Sequence, residues 1–288
     1  MSKKEGPSSN PYAKLAYNNE RFLSSPEART IRILSEYLEP QVRLRRAGVQ
    51  NTVVLFGSAR ILPRDVALER LRKLESSGDG SGVKPDEEQL RAARMAVEMS
   101  RYYEEARELA FLITRWSQEL NRGSGFLVVC SGGGPGIMEA ANRGASEAGG
   151  KSIGLNIMLP KEQAPNPYVT PELSFTFHYF FMRKLWFAQP AKSLIVFPGG
   201  FGTMDELWEF LTLVQTGKMG HRATILLYGS AYWKRAINFE WMRETGTIDD
   251  NDMSLVHYAD SPQEAFSILK ENLRRDRTLR SAFARRFF

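Results

Sequence analysis

Residues 193–206 read Ser193-Leu194-Ile195-Val196-Phe197-Pro198-Gly199-Gly200-Phe201-Gly202-Thr203-Met204-Asp205-Glu206. A compact apolar run of strand length, Ser193–Phe197, is broken at once by a proline and two glycines, and the chain then takes up a helical pattern over 204–216. A buried strand that turns through glycine into a helix is the building unit of a parallel α/β sheet. The same order recurs at Phe126–Cys130, followed by Ser131-Gly132-Gly133-Gly134-Pro135-Gly136 and a helix over 136–148, and at Val53–Phe56, followed by Gly57-Ser58-Ala59-Arg60. Further strands at Ser152–Asn156 and Ala223–Tyr228 and a helix over 179–189 complete the alternation. The predicted fold class is α/β: a Rossmann-like, doubly wound parallel sheet with helical N- and C-terminal extensions.

Outward from that core, residues 1–50 read as a leader and an added helix, which Ser25-Pro26-Glu27 opens and which runs towards Pro40. The core occupies 51–260. Its first crossover is lengthened by a helical insertion at about 61–100, with helical patterns over 64–76 and 86–121 on either side of a glycine- and serine-rich connection. In the second pattern Tyr102, Ala106, Leu109, Ala110, Ile113, Trp116 and Leu120 recur at helical spacing, as a helix packed on a sheet requires. The stretch 230–288 reads as helices, and 261–288 forms a C-terminal helical extension that starts with the capping pattern Ser261-x-x-Glu264.

Composition narrows the classes. With 42% hydrophobic and 25% charged residues the chain has enough apolar material for a core and is not a disordered sequence. The polar N-terminus carries no signal peptide pattern and no run is long and apolar enough for a membrane span, so a cytoplasmic protein with no membrane partner is expected. A single cysteine, Cys130, and three histidines leave neither an intrachain disulfide nor a cysteine-based metal site. The net charge of +6 favours anionic partners without choosing among them.

The two glycine-rich turns matter through their placement. In a doubly wound sheet both emerge at the carboxyl ends of strands and face one crevice. Glycine lets backbone approach a ligand closely, and the first N–H groups of the following helix suit a phosphate. Neither turn is Gly-x-Gly-x-x-Gly, which disfavours a dinucleotide oxidoreductase. Gly149-Gly150-Lys151-Ser152 imitates the end of a phosphate-binding P-loop, but it has Ala145 at the first glycine position and lies between a helix and a strand, the reverse of the required order.

Two groups could carry chemistry. Asp205 and Glu206 fall in the first turn after the second loop, although Thr203 with Glu206 also reads as a capping box. Arg183 has Tyr179, Phe180, Trp186 and Phe187 as its helical neighbours, so this cation is expected in a cleft or interface beside a compensating anion rather than on a polar stripe; snorkelling to solvent is the alternative.

Taken together, Gly57-Ser58-x-Arg60, the run Gly132 to Asn142, Met182-Arg183-Lys184 and Pro198 to Glu206 resemble the Lonely Guy (LOG) family in motif, order and spacing over about residues 50–230. Members of that family are Rossmann-like homo-oligomers that hydrolyse nucleoside 5′-monophosphates to base and ribose 5-phosphate. Some activate cytokinin precursors, and many were once labelled lysine decarboxylases. The resemblance implies that 51–260 is the nucleotide-binding catalytic domain and that Glu206 and Arg183 are catalytic. It also implies that Gly199, Gly200, Gly202 and Thr203 cradle the phosphate, with Lys184 beside Arg183, and that Gly57, Ser58, Arg60, Gly133, Gly134, Met138 and Glu139 contact the substrate. No cofactor and no metal are expected. The expected partners are a nucleoside 5′-monophosphate and further copies of the chain, as a homodimer or higher homo-oligomer. The alternatives are a pyridoxal phosphate-dependent decarboxylase, for which no motif identifies a Schiff-base lysine, and a non-catalytic nucleotide or cofactor carrier. A nucleic-acid binder using Arg274, Arg275, Arg277, Arg280, Arg285 and Arg286 is the remaining alternative, but those arginines read more simply as a solvated helix end or an interface.

Overall fold

The computed structural model describes residues 15–76, 86–121, 126–159, 164–219 and 223–275. Seven parallel strands form one sheet: β1 (Asn51–Phe56), β2 (Leu127–Ser131), β3 (Ser152–Ile157), β4 (Ser174–Phe177), β5 (Ala191–Val196), β6 (Thr224–Tyr228) and β7 (Val256–Ala259). Their order is β4-β3-β2-β1-β5-β6-β7. The chain therefore builds outward from β1 to one edge, returns to the centre and builds outward from β5 to the other. The point of reversal, between β1 and β5, opens a crevice at the carboxyl ends of the strands.

Helices cover both faces. One layer comprises α5 (Arg101–Asn121), α6 (Ile137–Glu147) and α12 (Pro262–Arg275); their residues Leu109, Ile113, Ala140, Ala145 and Leu269 pack on Val53, Leu55, Val129 and Leu226. The other includes α2 (Arg29–Arg46), α7 (Phe180–Ala188), α8 (Phe201–Gln215), α9 (Ser230–Ala236) and α10 (Phe239–Glu244), whose Leu44, Phe187, Phe210 and Trp233 pack on Val54, Val196 and Leu227. Helices α1 (Glu20–Leu23) and α11 (Asp250–Met253) are single turns, the latter packing Met253 against the second layer's core, and α3 (Arg64–Ser76) pairs with α4 (Glu87–Met99) within the first crossover. The central strands are buried along almost their whole length, and are largely apolar, because both of their faces are covered.

Four details depart from the sequence reading. The stretch after 230 is not wholly helical, because β7 adds an edge strand; β4 adds the other. Each is four residues long, and Ser-Phe-Thr-Phe and Val-His-Tyr-Ala become strands through pairing with β3 and β6 rather than through a strong apolar run. The pattern over 86–121 is two helices, with a break at Ser100. Its hydroxyl donates to the Val97 carbonyl at 2.6 Å, and the bend lets α5 lie on the sheet while α4 packs against α3. The added N-terminal helix does not stop near Pro40: after a 3-10 turn over Pro26–Ala28 it runs to Arg46. Proline lacks an N–H and so frees the carbonyl four residues back, that of Glu36, which accepts instead from the Trp186 indole at 3.0 Å. Finally, helix α8 begins at Phe201, so Thr203 lies within it and forms no capping box with Glu206. The pattern at 261–264 does cap, since the Glu264 N–H donates to Ser261 Oγ at 3.2 Å.

Main-chain hydrogen bonds draw the crevice loops together. Ser58 N–H donates to the Pro198 carbonyl at 3.0 Å, and Ile137 N–H to the Ser58 carbonyl at 3.2 Å. Gly136 makes the second approach possible: its φ is +70°, and a Cβ there would collide with the Ser58 carbonyl oxygen. Gly136→Ala is expected to destabilise the fold by about 2 kcal/mol or more in urea titrations, whereas Gly149→Ala, at a positive φ but in open space, should cost less.

Candidate functional site

A cleft of about 660 Å³ lies at the β1/β5 switch point. Its floor comes from the turn after β1, with Gly57, Ser58, Ala59 and Arg60, and from the β5–α8 loop with the first turns of α8, Gly199 to Glu206. Met138 of α6 and Phe180 and Arg183 of α7 form its sides. In the second glycine turn a Cβ on Gly199 would collide with the Thr203 side chain, and Gly200 and Gly202 leave open space in front of their backbone.

The central feature is an ion pair. Arg183 Nη1 lies 3.6 Å from Glu206 Oε1, with both side chains almost wholly removed from water. Two further contacts fix Arg183: its Nε donates to the Leu155 carbonyl of β3 at 2.7 Å, and its guanidinium carbon lies 5.0 Å from the Phe187 ring centre. Glu206 is less satisfied, for Oε2 is buried without a hydrogen-bond partner. Burial pushes its carboxyl up to about 7, with the nearby Arg183 and Lys184 charges opposing the rise. Burial also lowers Arg183. Both partners shift towards neutrality because loss of hydration outweighs their attraction at 3.6 Å.

The remaining candidates divide. Gly57, Ser58, Arg60, Met138, Gly199, Gly200, Gly202 and Thr203 all line the cleft with Glu206 and Arg183. Gly133, Gly134, Glu139 and Lys184 do not line it within the described chain. The Gly133 and Gly134 carbonyls accept from the Asn166 side chain, each at 3.0 Å, which makes that loop part of a buried amide network. Glu139 accepts from the Tyr103 hydroxyl at 2.7 Å and ties α6 to α5. Lys184 pairs with Asp205 at 2.8 Å and Glu209 at 3.1 Å, bridging α7 to α8. Conversely, Phe201 and Tyr232 belong to the lining without having been singled out. Phe201 is 92% exposed at the start of α8, and Tyr232 donates to the Gly199 carbonyl at 2.8 Å. No local motif marks Tyr232, which reaches the loop only because α9 folds back beside it.

The family model described as "Possible lysine decarboxylase" matches residues 138–269, which include both Arg183 and Glu206. Two rice (Oryza sativa subsp. japonica) proteins are similar, each named a "Probable cytokinin riboside 5'-monophosphate phosphoribohydrolase". LOGL5 is 29% identical over 117 residues, 40% of this chain and 46% of that protein. LOGL3 is 26% identical over 155 residues, 51% of this chain and 69% of that protein. The chain is similar to both over part of its length. It spans less than half the length of the first rice protein and about two thirds of the second. Among solved structures, a molybdenum cofactor carrier protein from Chlamydomonas reinhardtii aligns at 19% identity and TM-score 0.42, covering 78% of this chain and 98% of that one. A molybdenum cofactor binding protein from Rippkaea orientalis aligns at 17% and 0.45, covering 77% and 96%.

No described helix is long and apolar enough to cross a membrane. Among the arginines considered for nucleic-acid contact, Arg274 and Arg275 lie in the last turn of α12, where Arg275 pairs with Glu271; the other four lie outside the described residues.

The raised Glu206 carboxyl makes a prediction about stability. The folded protein keeps the proton up to about pH 7, whereas the unfolded chain releases it near 4.5, so wild-type stability falls as pH rises between those values. Glu206→Gln removes this titration. The variant should therefore gain stability relative to wild type across that window, on the order of 1–3 kcal/mol, as measured by urea unfolding at several pH values.

Proposed function

We propose that this chain hydrolyses the N-glycosidic bond of nucleoside 5′-monophosphates, consuming water and releasing free base and ribose 5-phosphate. The observation that carries the reading is the buried Glu206 carboxylate in the cleft lining, with one oxygen unpartnered, beside Arg183. Breaking a ribosyl C–N bond builds positive charge at C1′, which a fixed carboxylate can stabilise while it accepts a proton from the attacking water. A carboxyl near 7 is matched to that exchange at neutral pH. Gly200 and Gly202 leave open backbone at the start of α8 for the 5′-phosphate, and that grip, remote from the breaking bond, orients C1′. Arg183 keeps Glu206 ionised when needed and adds positive charge towards the substrate. The names of the rice relatives support the same reaction class and put cytokinin riboside 5′-monophosphates in the substrate panel alongside ordinary purine and pyrimidine nucleotides.

The family description names a possible lysine decarboxylase, and a pyridoxal phosphate-dependent decarboxylase fits the residues poorly. Among the described residues no lysine lines the cleft, and Lys184 is engaged by two carboxylates. No step is assigned to that cofactor.

The active unit is proposed to be a homodimer or higher homo-oligomer. Tyr179, Trp186 and Phe187 are buried within the chain, whereas Phe180 and Phe201, which line the cleft, stay exposed, as do Phe181 and Leu185 on α7 and Trp208 on α8. A two-fold contact would bury that surface twice and enclose the site.

Incubation with nucleoside monophosphates should release ribose 5-phosphate, and Glu206→Gln should lower kcat by roughly 100-fold or more while leaving ribose 5-phosphate affinity largely unchanged. Wild-type turnover in that variant would remove Glu206 from the mechanism; nucleotide binding without any turnover in wild type would instead favour a carrier. Adenosine should be a far poorer substrate than its monophosphate, and equal kcat/KM for the two would refute a role for phosphate binding in catalysis. Light scattering on dilution, read with activity, tests assembly. A fully active monomer would overturn the shared-site reading.

A further inference from the structure

Helix α7 carries Arg183 yet is only nine residues long, too short to hold its shape by its own hydrogen bonds. Its N-cap, Tyr179, makes no side-chain capping bond. Outside help comes from one residue of α2. The Glu36 carboxylate accepts from the His178 N–H at 2.8 Å and from the Tyr179 N–H at 3.2 Å, at the entrance to α7. The Glu36 carbonyl, released from the α2 ladder by Pro40, accepts from the Trp186 indole at 3.0 Å, near the other end of α7. Arg183 lies between these two anchors, and its own N–H donates to the Tyr179 carbonyl at 3.2 Å.

We propose that Glu36 is a positioning residue for Arg183: by gripping both ends of α7 it sets the guanidinium against Glu206. The helix added ahead of the first strand would thereby be part of the working site. Bonds from backbone N–H groups to a carboxylate are strong and directional, and the Pro40-freed carbonyl gives the indole an acceptor with no competing helical donor. An ångström of misplacement at a reacting centre can cost orders of magnitude in rate. Neighbouring contacts reinforce the hold, with the Arg29 guanidinium 5.8 Å from the Tyr179 ring centre and the Tyr37 and Trp186 rings 6.0 Å apart. The inference rests on the reading of Arg183 and Glu206 as the working pair.

The test compares Glu36→Ala, Glu36→Gln and Pro40→Ala with wild type, using the full chain. In Glu36→Ala we expect faster amide exchange over residues 178–183 and a fall in kcat of roughly tenfold or more with KM changed far less. The Glu206 carboxyl midpoint, followed by carbon NMR without substrate, should rise further as Arg183 is no longer held beside it. Glu36→Gln, which keeps one acceptor oxygen, should lie between. Pro40→Ala restores a competing helical donor to the Glu36 carbonyl and should give a smaller change in the same direction. A wild-type kcat and a wild-type Glu206 midpoint in Glu36→Ala would overturn the proposal, as would faster exchange at α7 with the midpoint unmoved. If Glu36→Ala does not fold, the other two variants decide by the same criteria. A wild-type protein that cleaves no nucleotide would refute the functional reading, while the Glu206 midpoint would still decide the latch.

Discussion

Arg183 and Glu206 meet 3.6 Å apart in a place almost closed to water, and much of the surrounding architecture serves to hold them there. A buried ion pair of this kind is a poor source of stability, since the hydration lost by two charges is only partly returned by their attraction. The shift of both groups towards neutrality expresses that imbalance. Such a pair persists only where packing leaves it no alternative. Here α7 and α8 rest on the same face of the sheet, and Leu155 and Phe187 leave the guanidinium little freedom.

The crevice in which the pair sits is a consequence of strand order. Because β1 and β5 are neighbours while their following segments turn to opposite sides, the two turns can meet without a helix covering them. Three main-chain hydrogen bonds then tie the strand ends and turns together: Phe197 to Phe56, Ser58 to Pro198 and Ile137 to Ser58. Glycine is used where side chains would block these approaches, as at Gly136 and Gly199. The open backbone at 200 and 202 is left facing the cleft rather than filled by packing.

Much of this was legible along the chain. Apolar stretches alternating with turns and helices marked five of the seven strands, because a strand covered on both faces is largely apolar. The edge strands β4 and β7 carried no such mark, since their partners, not their composition, make them strands. Pro40 misled for a different reason. A proline ordinarily ends a helix, yet a donor 150 residues away in sequence takes up the carbonyl it frees. Thr203 and Glu206 carried two meanings at one spacing, and the start of α8 at Phe201 removed the capping one.

What the sequence by itself determined is the set of parts: a parallel α/β core, two glycine turns at strand ends, an arginine among aromatics and a carboxylate just beyond the second turn. Periodicity and turn chemistry are local, so they can be read without knowing what lies across the molecule. Only the tertiary structure decided how the parts are used. It separated Gly133, Gly134, Glu139 and Lys184, which hold helices and loops in place, from the residues that line the cleft. It also brought Tyr232 to Gly199 and Glu36 to the ends of α7. These are contacts between residues 33 to 150 positions apart, and the raised Glu206 carboxyl depends on the burial that they and the core create; neither distance nor desolvation is a property of a stretch of chain.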